Sequence, residues 1–281
     1  MLPKYNDTYI LELETSQVKI IKTLFETIKD ILLTKMTIIF TPNYIKLDEQ
    51  EEHGQCAIHL ELDTTVTDST CPFEQYYCEK EFLPVGLDAT NFFKIIKTVD
   101  VKQNDMLSFY IRRDTPHIFT VKIENDKIGK LFSSDIKILD NLSNGSILKF
   151  PNIEYPEPIV LTSHMLQKVC KDMKSLSSNN AIEITIIDQQ IVFCYKGEFS
   201  KQTISLGRNV DNNTNNIIRG VYSLEFLLLL IKATNLSHTV IIYMNDNCPL
   251  ILEYSVGNLG TLKFLLCDFQ PAFQDEHYTE N

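Results

Sequence analysis

Hydrophobic and polar positions along this chain follow two periods. In SQVKIIKTLFETIKDIL, residues 16–32, a projection at about 100° per residue puts Ile20, Ile21, Leu24, Ile28, Ile31 and Leu32 on one face. Lys19, Lys22 and Lys29 gather on the other, near Glu26. The same projection predicts three more helices. In the second, Phe92, Ile95, Ile96 and Val99 oppose Lys94 and Lys97. In the third, Met165, Leu166, Val169, Cys170, Met173 and Leu176 oppose Lys168, Lys171 and Lys174, with His164 and Gln167 beside them. The fourth, SLEFLLLLIKAT, is apolar nearly all round and offers only Lys232 beside Glu225. Elsewhere the period is two. Thr239–Tyr243 and Ile251–Val256 alternate as strands, and RRDTP (112–116) and NDNCP (245–249) read as hairpin turns.

These elements occur twice. TSQVKIIKTLFETIKDIL from Thr15 matches TSHMLQKVCKDMKSLS from Thr162, and each is followed by a strand pair. NFFKIIKTVDVKQNDMLSFYIRRDTPHIFTVKI matches FLLLLIKATNLSHTVIIYMNDNCPLILEYSV, down to the turn prolines Pro116 and Pro249. Each half reads helix, strands, helix, strands, so the fold expected is α+β: two similar domains of antiparallel strands with two helices each. The boundaries expected are an N-terminal domain at 1–139, a connecting linker at 140–158 with Asn, Ser, Gly and three prolines, and a C-terminal domain at 159–281. RNVDNNTNN, 208–216, is expected as a surface loop within the second half.

Charge changes the picture most. The chain of 281 residues has 37 acids against 26 bases, a formal net charge of −11. Yet the four helical faces carry nine lysines and only Glu26, Asp30, Asp172 and Glu225 as acids. On any one helix, lysine is an ordinary solvent-face residue. Four such faces on one side of a pseudo-symmetric molecule sum to a positive stripe on a negative body, which suits duplex DNA contacted through its phosphates. A flexible point charge fits loose phosphate contact better than fixed bidentate recognition.

Other chemistries find less support. Seven cysteines with no C-x-x-C pair fit reduced thiols in a reducing compartment. MLPKYNDTYI has no signal-peptide pattern, and the longest apolar run, FLLLLI, is far short of a membrane span. An intracellular, soluble protein with no membrane contact is expected. His53, Cys56 and His59 invite a metal or Cys–His reading. QCAIHLEL alternates as a strand, however, which sends Cys56, Ile58, Leu60 and Leu62 inward and Ala57, His59 and Glu61 outward. Cys56 and His59 then cannot chelate together. With no P-loop, G-x-S-x-G or H-E-x-x-H, no catalysis, metal or cofactor is expected.

Laid out in order, the motifs resemble the PCNA family of DNA sliding clamps over about Ile10 to Cys267. The likeness is strongest in KATNLSHTVIIYMNDNCPLILEYSVGNLGTLKFLL, with LFETIKD, FLPVGLD, CKDM and FP-x-x-EY in register. The resemblance implies a closed head-to-tail ring of three subunits with helices lining the hole and sheets outside, a topological link that slides while tethering a DNA polymerase. It implies Lys22, Lys29, Lys94, Lys97, Lys168, Lys171 and Lys232 as DNA-facing. It also implies a groove for clamp-binding peptides built from Leu47, Leu148, Phe150, Pro151, Tyr155, Pro249, Leu265, Leu266 and Cys267, and loading by a clamp loader. Subunits would pair through 130–139 and 199–206, where Lys130 and Lys201 read equally as edge gatekeepers or as specific contacts.

The chain also departs from the family pattern. LDEQEEHGQC puts Gln50, Gly54 and Gln55 where apolar or basic groups are usual, Asp268 stands where Pro is common, and Ile187 replaces the ubiquitin-acceptor lysine. Two neighbouring readings share the fold: a subunit of a heterotrimeric checkpoint clamp, and a monomeric processivity factor that binds DNA directly. Asn-, Ile- and Lys-rich usage suggests an AT-rich genome, of a large DNA virus or a protist. Localisation would follow, a cytoplasmic viral replication site or the nucleus.

Overall fold

The computed structural model describes residues 6–32, 34–65, 73–98, 100–139, 154–176, 180–197, 200–207 and 217–269. The first half runs β1 (Tyr9–Thr15), α1 (Val18–Ile28), β2 (Lys35–Phe40), β3 (Tyr44–Gln50), β4 (Cys56–Asp63), β5 (Gln75–Cys78), β6 (Leu83–Asp88), α2 (Ala89–Thr98), β7 (Met106–Arg112), β8 (Ile118–Asn125) and β9 (Lys130–Lys137). The second runs β10 (Ile159–Thr162), α3 (Ser163–Leu176), β11 (Ala181–Ile187), β12 (Gln190–Lys196), β13 (Lys201–Leu206), β14 (Ile217–Ser223), α4 (Leu224–Leu230), a 3-10 turn (Ile231–Asn235), β15 (Thr239–Tyr243), β16 (Leu250–Val256) and β17 (Gly260–Leu266). Every half-one element except β5 has a half-two counterpart among the described residues.

The strands pair antiparallel in three sheets ordered β5-β1-β7-β8-β9, β10-β15-β16-β17-β4-β3-β2-β6 and β13-β12-β11-β14. The long middle sheet crosses the halves, because β17 pairs with β4 from Gly260↔Leu62 to Leu266↔Cys56. Alternation explains its core: Leu262, Phe264 and Leu266 of β17 and Ile58, Leu60 and Leu62 of β4 are all buried. The helices cover one side of the sheets. Val18, Ile21, Leu24, Phe25 and Ile28 bury the inner face of α1, and Phe25 meets Phe92 of α2 edge-to-face at 4.7 Å.

Several expectations need correction. The fourth helix is not one α segment: Ser223 caps α4 by accepting from the Phe226 N–H, but the chain tightens into the 3-10 turn at Ile231. There Thr234 donates its hydroxyl back to the Ile231 carbonyl at 2.7 Å, a local bond that competes with regular helix. Met165 belongs to the predicted buried face of α3 yet is 41% exposed. Ala57, expected to face outward, is buried at 7% because its outer-face neighbours cover so small a side chain.

Candidate nucleic-acid interface

The four helices form one continuous layer across both halves, with α1 against α2 and the 3-10 turn between α1 and α3. Cross-links hold the order. Lys22 donates to the Lys97 carbonyl at 3.4 Å, tying α1 to α2. Lys232 pairs with Asp30, tying the second half to the end of α1. Thr234 donates to the Ser163 carbonyl at 3.4 Å, tying the turn to α3.

On this layer Lys19, Lys94, Lys97, Lys168, Lys171, Lys174 and Lys232 are exposed, while Lys22 and Lys29 are half-buried. Three of the four acids are engaged internally: Glu26 lies 3.9 Å from Lys22, Asp30 holds Lys232, and Glu225 accepts from Asn180 Nδ2 at 3.3 Å. Among the described residues, Lys19, Lys29, Lys94, Lys97, Lys168 and Lys171 form no ion pair. The helix layer is thus a surface of cations with few competing carboxylates. It can neutralise phosphates without reading bases.

The residues expected to line a peptide groove separate. Leu148, Phe150 and Pro151 lie outside the described residues. Leu47 is fully buried in the first-half core beside Ile45, Leu60 and Leu62, and Leu266 is 1% exposed in the shared core. Both sit on core-facing positions of their strands, so neither faces a groove. Leu265, one position along β17, points to the outer face, where its neighbours leave it only 7% exposed. The strand registers set it in a row with Tyr243, Ile251 and Ala57. Tyr155 crosses the end of this row, donating its hydroxyl to the Pro249 carbonyl at 2.8 Å and packing edge-on against Tyr243. Burial pushes the Tyr155 phenol up to about 12. The exposed Cys267 lies at the row's margin, its N–H bonded to the Gln55 carbonyl. Sequence reasoning missed Tyr243, Ile251 and Ala57, since only cross-strand register reveals that they share a face with Leu265.

Asp268 has a defined place. Its carboxylate accepts from the Val221 N–H at 2.8 Å, and the Phe269 N–H bonds the Val221 carbonyl, so the chain after β17 runs along the edge of β14. Lys130 is engaged within the chain. Its ammonium lies 2.7 Å from Asp105, whose side chain is fully buried. His59 bonds Asp48 at 2.6 Å on the outer face, Cys56 is buried on the opposite face three residues away, and burial pushes that thiol up to about 12. Among the described residues, no three His, Cys, Asp or Glu side chains are grouped to hold a metal ion, and no helix is long and apolar enough to cross a membrane.

Comparison with known proteins places this geometry. Residues 10–144 match the family profile described as proliferating cell nuclear antigen, N-terminal domain, and residues 149–269 match that of its C-terminal domain. The chain is 26% identical over 269 residues to the "Probable DNA polymerase sliding clamp 1" of Paramecium bursaria Chlorella virus 1, covering 93% of this chain and 97% of that one. It is 23% identical over 266 residues to the proliferating cell nuclear antigen of Chaetomium thermophilum, covering 92% and 97%. It is 25% identical to the "Probable DNA polymerase sliding clamp" of Acanthamoeba polyphaga mimivirus, matching 62% of that longer protein. The crystal structure of the Entamoeba histolytica proliferating cellular nuclear antigen superposes with a TM-score of 0.78 at 17% identity, covering 93% of this chain and all of that one. By its two matched domains, its antiparallel sheets and its four-helix layer, the chain belongs to the proliferating cell nuclear antigen family.

Proposed function

We propose that the chain is a DNA sliding clamp, a processivity factor that closes into a ring around duplex DNA and tethers a DNA polymerase. The observation that carries it is the junction of β17 with β4. Internal duplication makes β9 the counterpart of β17 and β13 the counterpart of β4, and β9 and β13 are outer edges of their sheets. One junction is made within the chain, and its two unmatched halves are left at the ends. A head-to-tail copy satisfies both, and such heterologous contacts close into a ring when the rotation permits. The register of β17–β4, transferred to β9–β13, sets Phe132 against Leu206 and Ser134 against Ile204. Phe132, Ile204 and Leu206 are partly buried apolar residues already packed on the core. Left open, these edges invite indiscriminate pairing.

In a ring of three copies, the lysine layer would face the hole and carry the DNA contact. Lys19, Lys22, Lys29, Lys94, Lys97, Lys168, Lys171, Lys174 and Lys232 would screen phosphates, and topology would supply retention. The outer row Tyr243, Ile251, Leu265 and Ala57, flanked by Tyr155, Pro249 and Cys267, would receive clamp-binding peptides of polymerases and other replication proteins. A closed ring needs a clamp loader. No catalytic role is assigned, and the site of action would be the nucleus or a viral replication site.

Light scattering across a concentration series, followed by retention on circular DNA, tests the proposal. A species near three times 32.4 kDa is expected, held on nicked circles and lost when they are cut. A monomer at every concentration refutes the self-closing ring, and equal retention on circles and linear DNA refutes encirclement.

A further inference from the structure

Among the described residues the duplication is broken at the outer edges of β1 and β10, of which the first is paired and the second is not. In the first half, β5 pairs with the edge of β1 away from β7. Arg113, three residues before Pro116 in the β7–β8 turn, seals that end. Its Nη1 donates to both carboxylate oxygens of Glu79, just past β5, at 3.1 Å, and its Nε donates to the Asn6 carbonyl at 2.8 Å. In the second half, residue 246, three before Pro249, is an aspartate. Nineteen residues, 64–82, separate β4 from β6, but only ten, 207–216, separate β13 from β14. Among the described residues, no strand pairs with the free edge of β10.

A cleft of about 780 Å³ lies ahead of the start of β10, between residues 154–157, the β11–β12 turn, the start of β14 and the end of β15. Ile217, Ile218 and Met244 give it apolar walls, and Glu154, Glu157, Asp188 and Asp246 give it carboxylates, with no lysine or arginine. A smaller hollow continues along Pro158–Val160 and shares Glu157 and Asp188. Asp188 sits at φ +52° in the β11–β12 turn, and its Oδ2 is buried without a hydrogen-bond partner among the described residues. A buried carboxylate oxygen left unsatisfied is costly and calls for a donor. Ile217 and Val160 are 56% and 60% exposed.

The backbone of β10 is set to accept a strand. The Ser163 N–H bonds the His238 carbonyl, in register with Ile159↔Ile242 and Leu161↔Val240. Residues of an antiparallel pair bond their partner alternately, so the N–H and C=O of Val160 and Thr162 point to the open edge.

We propose that this cleft is a docking site for an extended cationic peptide of a partner protein, which adds to β10 as β5 adds to β1 and lays an arginine between Asp246 and Asp188. The first half supplies the template with charges exchanged: there the turn holds the guanidinium and the added strand the carboxylate. Main-chain pairing provides affinity and the carboxylates provide selection.

The test uses the full chain and a fluorescent heptapeptide copied from residues 74–80, with both glutamates replaced by arginine and the cysteine by serine. Anisotropy should report saturable binding, weakened at least tenfold by Asp246→Asn and also by Val160→Pro. Proline is tolerated where an edge N–H faces outward, so the second variant removes only the pairing donor. The peptide with glutamates retained should bind at least tenfold more weakly, and retention on circular DNA should be unchanged in both variants. No binding to the natural chain, or binding indifferent to Val160→Pro, overturns the proposal. So does binding that emerges only when residues 208–216 are shortened, because the chain's own segment would then hold the cleft.

Discussion

Replacing Lys130 by methionine tests how the β7–β8–β9 corner is held. Asp105, just before β7, has a fully buried side chain. Its Oδ2 accepts from Lys130 Nζ at 2.7 Å and from the Lys102 N–H at 2.9 Å, and its Oδ1 from Asn125 Nδ2 at 2.7 Å. Lys130 Nζ also donates to the Asp100 carbonyl at 2.6 Å. Methionine keeps the aliphatic stem and removes the charge, leaving a buried carboxylate with only neutral donors. Breaking a buried pair from one side costs about 3–5 kcal/mol. A quarter of the Lys130 side chain is exposed, so solvent screens part of the pair, and about 2–4 kcal/mol is expected here.

The pH dependence makes the test specific. Burial alone would raise the Asp105 carboxyl, but the Lys130, Lys102 and Asn125 hydrogen bonds outweigh it and hold the group below its ordinary range. A folded pKa below the unfolded one contributes stability that is present above the unfolded value, about 4, and lost as pH falls through the folded value. In Lys130→Met the sign reverses, because the buried acid is easier to protonate folded than unfolded. Urea unfolding from pH 7 to pH 3 should therefore show a deficit that is greatest at neutrality and closes with acid. A deficit under about 0.5 kcal/mol at pH 7, the range of an ordinary surface substitution, or one independent of pH, refutes the clasp.

Two further outcomes concern the proposed ring. Lys22→Glu, Lys97→Glu and Lys171→Glu together should cut polymerase stimulation on primed circles at least tenfold while leaving the oligomeric mass unchanged; survival of stimulation at about 0.1 M salt makes the lysine layer a solvated face. Leu265→Arg should weaken an aromatic-anchored clamp-binding peptide at least tenfold by calorimetry, about 1.4 kcal/mol, with the helix layer undisturbed. Unchanged affinity removes the outer row from the groove.

Periodicity made much of this fold legible. The apolar stripes of α1 and α3 and the alternation of β15 and β16 follow from spacing alone, because each buries one face against a core. What spacing hides is the partner of each strand. Leu47 and Leu265 are equally plausible groove residues in a linear reading. Yet β3 sends Leu47 into the core while β17 sends Leu265 outward beside Ile251 and Ala57. Lys130 reads as a surface cation until β9 is placed beside the buried Asp105. The breakdown of α4 into a 3-10 turn was hidden because the helical apolar pattern continues through Ile231.

The duplication carries information in both its fidelity and its breaks. Where the halves agree, the intrachain β17–β4 junction is the template for the pairing of β9 with β13 in the proposed ring. Where they disagree, Arg113 and Asp246 occupy equivalent turns with opposite charge, and the strand that the arginine secures has no described counterpart. A duplicated fold whose edge strand has no described partner must either cover that backbone or use it. The carboxylates gathered beside β10 favour use, since an edge merely protected from pairing would be better served by lysine or proline on the strand itself, and Ile159–Thr162 has neither.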